Sequence, residues 1–278
     1  MNVPPTVATG AAEPVTLTWL GQAGFLLATG QVAVLVDPWL SPHPERIGDP
    51  PDTGLLPLRI DAVLATHGHP DHLDLDGLAE LRATHRLGRV VVPRPHVDAT
   101  RERLAGVEVT GVRPGDRLDE PVPVDVVPAW HGVTTEDAYG DGRAADGTTP
   151  HVGYVLTLGG TAIYHAGDTI GPPALAEAVA RLAPDVALLP VNGRDGRREA
   201  AGIVGNLDPL EAVRLAAAVG AELLIPMHHD AVKGNTGDVV ALVRAAGRSP
   251  GPHLLLPVRE RALRLPPPAR PRRLGGAP

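Results

Sequence analysis

The sequence predicts an α/β fold of four layers, an αβ/βα sandwich in which two sheets lie face to face and helices cover both outer surfaces. Three observations carry that expectation. Short β-branched runs come in groups, helical stretches are spread through both halves, and no interdomain linker divides the chain. With 278 residues the chain can bury a sizeable core, and one domain is expected over residues 14–265. Residues 1–13 and the Pro/Arg-rich stretch 266–278 (PPPARPRRLGGAP) offer nothing to pack and read as tails.

Taken in order, Val15–Leu20, Phe25–Ala28 and Val32–Val36 read as strands of a meander separated by Gly-containing turns. Asp61–Ala65 is almost continuously apolar and suits a buried strand. Leu73, Leu75, Leu78 and Leu81 then predict an amphipathic helix beginning near Asp71. Val90–Val92, Val107–Val112 and Val122–Val127 are strand candidates, with a helix over His96–Leu104. Val152–Leu158 and Thr161–Tyr164, joined across Gly159-Gly160, predict a hairpin. Ala174–Leu182 reads as helix and Asp185–Pro190 as strand. Asp208-Pro209 supplies an N-cap and a first-turn proline for a helix over Leu210–Val219, which Gly220 closes. A strand at Leu223–Ile225, a helix at Asp238–Ala246 and strands at Leu254–Val258 and Ala262–Leu265 complete the chain.

Composition removes whole classes of chemistry. There is no cysteine, so disulfides, thiolate zinc sites and cysteine nucleophiles are excluded. Ser41 and Ser249, the only serines, each precede a proline and neither sits in a Gly-x-Ser-x-Gly elbow, which disfavours a serine-hydrolase triad. Lys233 is the only lysine. A net charge of −7 lacks the basic footprint of a nucleic-acid binder. No apolar run approaches the roughly 20 residues of a membrane span. No nucleic-acid or membrane partner is therefore expected. Met1–Glu13 has no basic residue and no apolar stretch, so no secretory signal is read there and a cytoplasmic location is expected.

Histidine, at 12 residues, is unevenly placed. Thr66-His67-Gly68-His69-Pro70-Asp71-His72 packs three histidines and a carboxylate into the loop leaving the strand Asp61–Ala65. Imidazole and carboxylate suit zinc, manganese or iron. Gly68 and Pro70 keep the segment non-helical, so its side chains can converge. Strand carboxyl ends are where open α/β sheets place ligands. A merely His-rich surface loop would need neither an apolar strand feeding it nor a helix leaving it.

This His-x-His-x-Asp-His spacing resembles the metallo-β-lactamase-fold hydrolases, and the resemblance runs from about Val15 to Leu265. It implies a first metal on His67, His69 and His131, and a second on Asp71, His72 and His228, with Asp168 bridging. His131, Asp168 and His228 each follow a strand candidate. Asp37, in Val36-Asp37-Pro38-Trp39, matches an Asp-Pro of the family, and its implied task is to orient a ligand histidine. The segments around Asn192–Arg198, Gly202–Leu207, Pro226–Asp230 and Gly234–Gly237 are similar to the branch that contains L-ascorbate-6-phosphate lactonase, whose characterised enzyme is manganese-dependent.

The resemblance implies two divalent ions as cofactors, zinc or manganese with iron as the other option. It also implies a hydroxide shared by them as nucleophile, with Asp71 or Asp168 orienting it and accepting its proton. Arg194, Arg197 and Arg198, with Asn192 and Asn206, lie just beyond Asp185–Pro190. Guanidinium forks match phosphate or carboxylate, so these residues are candidates for binding an anionic substrate. The competing reading is a solvated patch, or an ion pair with Asp195 or Glu199. His229 is expected to point away from His228 on an extended segment, and either to support the ligands from behind or to line the pocket. His165 is read as strand packing, and His151, at the start of Val152–Leu158, as bordering the pocket or as a strand-edge residue. His43, His85, His96 and His253 receive no role, and Trp39 and Trp130 are read as packing. The loops Ser41–Leu56 and Thr134–Thr149 are expected to rim the pocket.

The leading expectation is thus a metal-dependent hydrolase opening a lactone or related cyclic ester of an anionic, in the closest case phosphorylated, small molecule. A phosphodiesterase of the same fold, and a non-catalytic metal-binding or regulatory protein, are the alternatives. The branch commonly assembles, so a homo-oligomer is an open expectation.

Overall fold

The computed structural model describes residues 13–132 and 134–266. The two tails read from the sequence therefore lie outside the described residues, apart from Glu13 and Pro266. The first sheet contains β1 (Thr16–Gly21), β2 (Gly24–Ala28), β3 (Ala33–Val36), β4 (Arg59–Leu64), β5 (Arg86–Pro93), β6 (Glu108–Val112) and β14 (Ala262–Arg264). The second contains β7 (Arg117–Leu118), β8 (Val124–Pro128), β9 (Val152–Leu158), β10 (Thr161–His165), β11 (Val186–Pro190), β12 (Leu223–Met227) and β13 (His253–Leu254). Their orders are β14-β1-β2-β3-β4-β5-β6 and β13-β12-β11-β10-β9-β8-β7. In each, an antiparallel half passes into a parallel half, at β3/β4 in the first sheet and at β10/β11 in the second.

Side-chain alternation explains the layers. In β3 and β4, Val34, Val36, Ala62 and Leu64 belong to the core between the sheets. Their neighbours Leu35 and Val63 face the other way, into a separate cluster with Leu78 and Leu81. Those leucines come from α1 (Leu75–Leu81), which with α2 (Val97–Arg103) covers the first sheet. Successive strand residues point to opposite faces, so a strand apolar on both faces must be covered twice. On the second sheet the outer layer is α3 (Pro173–Ala180), α5 (Pro209–Ala218) and α6 (Val239–Ala246), which bury Leu175, Val179, Val213, Leu215 and Leu242. The result is the predicted αβ/βα sandwich.

Several boundaries differ from the sequence reading. The helix expected from Asp71 starts at Leu75, because Asp74 is its N-cap and accepts from Gly77 N–H. The same carboxylate accepts from the Leu40 and Ser41 N–H groups and the Ser41 hydroxyl, so it ties the 40–41 loop to the helix start. Leu254–Val258 is not a strand throughout. Only His253–Leu254 pairs with β12, and after a last bond from Leu255 N–H to Leu224 O the chain leaves the sheet, where Pro257 lacks the N–H to continue it. Two short elements were not anticipated, β7 and α4 (Gly196–Ala200), the latter capped by Asp195. At α5 the Asp208 cap forms a complete capping box with Glu211.

Candidate metal centre

The site lies at the carboxyl ends of β3, β4, β8, β10 and β12, in the region where the two sheets meet. Asp37, just past β3, has φ 45° and is fully buried. Its Oδ1 accepts from Thr66 N–H at 2.7 Å, and its Oδ2 accepts from the Thr66 hydroxyl at 2.7 Å. The same Oδ2 accepts from His72 Nδ1 at 2.7 Å. This spends the Nδ1–H of His72 on a carboxylate and turns Nε2 into the site. Gly167 (φ 60°) lets the loop carrying Asp168 approach: a Cβ there would stand 2.7 Å from the Thr66 side chain.

Two groups of donor atoms result, each compact enough to hold an ion: His67, His69, His131 and Asp168 in one, Asp71, His72 and His228 in the other. In the first, His67 Nε2 and His69 Nδ1 are 2.9 Å apart, and His131 Nε2 lies 3.4 Å from His69 Nδ1. Asp168 stands between the groups. Its Oδ2 is 3.7 Å from His131 Nε2 and 3.2 Å from His228 Nε2, while Oδ1 is 3.3 Å from His72 Nε2. Asp71 Oδ2 lies 3.4 Å from His228 Nε2 and 3.6 Å from His72 Nε2. His72 Nε2 and Asp168 Oδ1 are buried and make no hydrogen bond, which is costly unless a cation satisfies them. Nitrogen and oxygen donors without sulfur suit zinc, manganese or iron.

The electrostatics differ between the groups. Burial lowers the pKa of His67, reinforced by His72, His69 and His131, and brings His131 down to about 3. For His72, burial opposes the charge but Asp168, Asp71 and Asp37 outweigh it and hold the pKa well above the ordinary value. Burial likewise opposes the charge on His228, yet Asp168 and Asp71 raise it to about 9. Burial also works against ionised Asp71 and Asp168, and the neighbouring histidines more than compensate, so both carboxyls titrate below the usual range.

Each ligand position inferred from the resemblance is thus brought to one place, and Asp37 touches the histidine it was expected to orient. The expected substrate residues are not. Arg194 is paired with Glu211, Nη2 to Oε1 at 2.6 Å, and its Nη1 also donates to Asn206 O at 3.0 Å. Its partner is neither Asp195 nor Glu199. Arg198 is used up on Asp195 Oδ2 (3.0 Å), Thr236 O (2.7 Å) and Gly234 O (3.3 Å). Arg197 is exposed. None of the three lines the cavity at the metal ligands. Asn206 Nδ2 donates to Asn192 Oδ1 at 3.1 Å, so both are buried scaffold. His229 does not line the cavity either. His228 takes φ 56° rather than an extended conformation, and His229 packs on Trp19 with ring centroids 5.1 Å apart.

The remaining aromatic residues sort similarly. His165 is buried and donates from Nε2 to Ala23 O at 2.8 Å, and His151 bonds Gly140 O from Nε2 at 3.2 Å. Trp39 and His43, read as packing and as without a role, both line the cavity, and so does Glu45 from the Ser41–Leu56 loop. The Thr134–Thr149 loop contributes no lining residue there. Gln22 was missed. It sits at φ 51° in the β1–β2 turn, fully buried, with Nε2 donating to Asp71 Oδ2 at 2.8 Å and lying 3.0 Å from His228 Nε2. A polar residue in an otherwise apolar turn, Gly21-Gln22-Ala23, was the available signal.

Among the described residues no helix is long and apolar enough to cross a membrane. A beta-lactamase superfamily domain description matches residues 33–229. The chain is 33% identical over 219 residues to a UPF0173 metal-dependent hydrolase of Pyrococcus furiosus, covering 78% of this chain and 85% of the relative. To a UPF0173 metal-dependent hydrolase of Methanoculleus marisnigri it is 34% identical over 254 residues, covering 84% and 94%. Among solved structures it is similar in fold to Igni18, a metallo hydrolase of Ignicoccus hospitalis, with TM-score 0.64, 22% identity, and 91% and 99% of the two chains covered. With ligand-type side chains from four strand ends gathered at one point and these relatives in agreement, the chain belongs to the beta-lactamase superfamily domain family and is a metal-dependent hydrolase of the metallo-β-lactamase fold.

Proposed function

We propose that this hydrolase holds two divalent ions, one in each donor group, and opens a lactone or related cyclic ester. The observation that carries the reading is the position of Asp168, whose two oxygens face His131 and His228 on one side and His72 on the other. When bound, the ions supply Lewis acidity and make water acidic enough to attack a carbonyl near neutral pH.

The rest falls to this chain's own residues. Asp71 and Asp168 are ionised and border the cavity, so either can orient a water and accept its proton as it adds to the ester carbon. Asp37 fixes the His72 ring through Nδ1, and Gln22 holds the Asp71 carboxylate from the opposite side. No serine or cysteine nucleophile is needed, in keeping with their scarcity. The phosphodiesterase reading finds less support, because among the described residues no arginine or lysine lines the cavity to take a phosphodiester.

The test is turnover of a γ-lactone by the chain loaded with manganese or zinc, beside bis-p-nitrophenyl phosphate. Lactone opening that is abolished by a chelator and restored by metal is the expected result. Preferential cleavage of the phosphodiester would replace this reading with the phosphodiesterase one, and inertness of the fully loaded protein toward both would favour the non-catalytic alternative.

A further inference from the structure

The cavity above the donor groups is compact, about 200 Å³, below the ~300–1,000 Å³ of pockets for drug-sized ligands. Beyond the metal ligands its wall is largely apolar, with Trp39, Ile203, Val204 and Val232, and the charged side chain it adds is Glu45. Arg46 and Lys233 flank that wall in sequence, but Arg46 lies over the Trp39 ring and donates to Trp39 O, and Lys233 donates to Pro44 O. Two further polar side chains line it: His43, whose Nδ1 accepts from Glu45 N–H at 3.2 Å and whose ring packs edge-on against Trp39, and Asn235, which is buried.

The orientation of that amide is set from behind. Asn206 Nδ2 donates to Asn192 Oδ1 at 3.1 Å, and Asn192 Nδ2 donates to Asn235 Oδ1 at 2.8 Å. The acceptor of Asn235 is therefore spent on the relay, and its Nδ2 has no protein partner among the described residues. Arg198 clamps the same turn through Gly234 O and Thr236 O, and Arg194 holds Asn206 O. Residues that the sequence marked as an anion site are the frame of a neutral donor.

Building on the hydrolase reading above, we infer that the substrate is a compact, uncharged carbonyl compound with an apolar substituent, and that Asn235 Nδ2 donates a hydrogen bond to its oxygen. The apolar wall receives the substituent. Among the described residues a phosphomonoester would meet Glu45 and find no guanidinium or ammonium on the wall, where the Nδ1 of His43 is already taken by Glu45 N–H.

The experiment measures binding, so it does not depend on ester opening. The metal-loaded chain is titrated calorimetrically with a γ-lactam carrying a short alkyl chain, and with the same lactam carrying a phosphomonoester in place of the alkyl end. The alkyl lactam is expected to bind more tightly. Asn235→Ala and Asn235→Asp are each expected to weaken it about three- to tenfold, the scale of one hydrogen bond, with metal content unchanged. Equal or tighter binding of the phosphorylated lactam, or unchanged affinity in metal-replete Asn235 variants, overturns the inference. Lactam binding with the Asn235 dependence, in a protein that opens no lactone, leaves this inference standing and removes the lactonase reading alone.

Discussion

The two donor groups use similar residue types but are prepared for a cation in different ways. His67, His69 and His131 have pKa values lowered by burial and by one another, so their rings are neutral and ready. In the second group His72 and His228 hold protons instead, because Asp168 and Asp71, with Asp37 behind His72, outweigh burial. That group is also braced, by Asp37 on His72 and by Gln22 on Asp71. On the two-ion reading proposed above, a metal would enter the first group without displacing ring protons, whereas the second would exchange protons for metal. Ligands must be deprotonated to bind, so the second position is the pH-dependent one.

The strongest way to break this comparison is to remove what the two groups share. Asp168→Ala is expected to abolish hydrolysis and loosen both ions, as read by metal analysis after desalting. Retention of two ions per chain would show that Asp168 does not join the groups. Next in size is Asp37→Asn. Loss of a carboxylate behind a ligand histidine costs about 10–100-fold in metal affinity; the loss should fall on the second ion alone, giving separate steps in a metal titration.

The pH dependence sharpens the contrast. His228 is raised to about 9, so metal binding at the second group should strengthen as pH rises toward that value, by up to about tenfold per unit for each proton displaced. The first group should change little over the same range, since His131 titrates at about 3. Competition with a chelator between neutral and mildly alkaline pH separates the two. The metal-free chain follows a linked rule. A group raised in the folded state stabilises below its unfolded pKa and loses that contribution as pH climbs to the folded one. For His228 the loss runs from the ordinary value of 6.5 to about 9. His131, with its lowered pKa, contributes above 6.5 and loses its contribution as pH falls toward about 3. The contribution of this pair therefore peaks near 6.5, and thermal unfolding of the metal-free protein across that range reads it directly.

Smaller effects follow. Gln22→Leu strips the half-buried Asp71 of a donor and should cost the metal-free chain about 1 kcal/mol, seen as a lower denaturant midpoint. Arg194→Ala breaks a partly exposed pair with Glu211; such pairs are worth about 0.2–1 kcal/mol. Its affinity for the phosphorylated lactam should stay unchanged, because the guanidinium is turned away from the cavity.

What the sequence made legible follows the same division between floor and wall. The floor is written locally: Gly68 and Pro70 force His67–His72 into a tight loop after a buried strand, and His131, Asp168 and His228 each stand where a strand ends. Sheet pairing then brings these strand ends together, with β8, β10 and β12 in one sheet and β3 and β4 in the other. The wall is not local. Whether Arg194 faces a substrate or Glu211 depends on the packing of α5 against the segment after β11, and Glu211 lies 17 positions further on. The Gly234–Gly237 segment is singled out by resemblance, but the role inferred for Asn235 is not legible because its orientation is fixed by Asn192, 43 positions earlier. His229 lies behind the ligands rather than in the cavity, packed on Trp19, because a neighbour 210 positions earlier in the chain takes up its ring. The helix expected from Asp71 started later because Asp74 serves as cap and loop tie together.

The central claim is that residues from both sheets grip two cations at one point. It is tested most directly by an anomalous-scattering map from crystals of the manganese- or zinc-loaded chain. The account predicts two peaks flanking Asp168, one at coordinating distance from His67, His69 and His131, the other from Asp71, His72 and His228. A loaded, active protein with a peak at only one of these positions, or with its metal elsewhere, would contradict it.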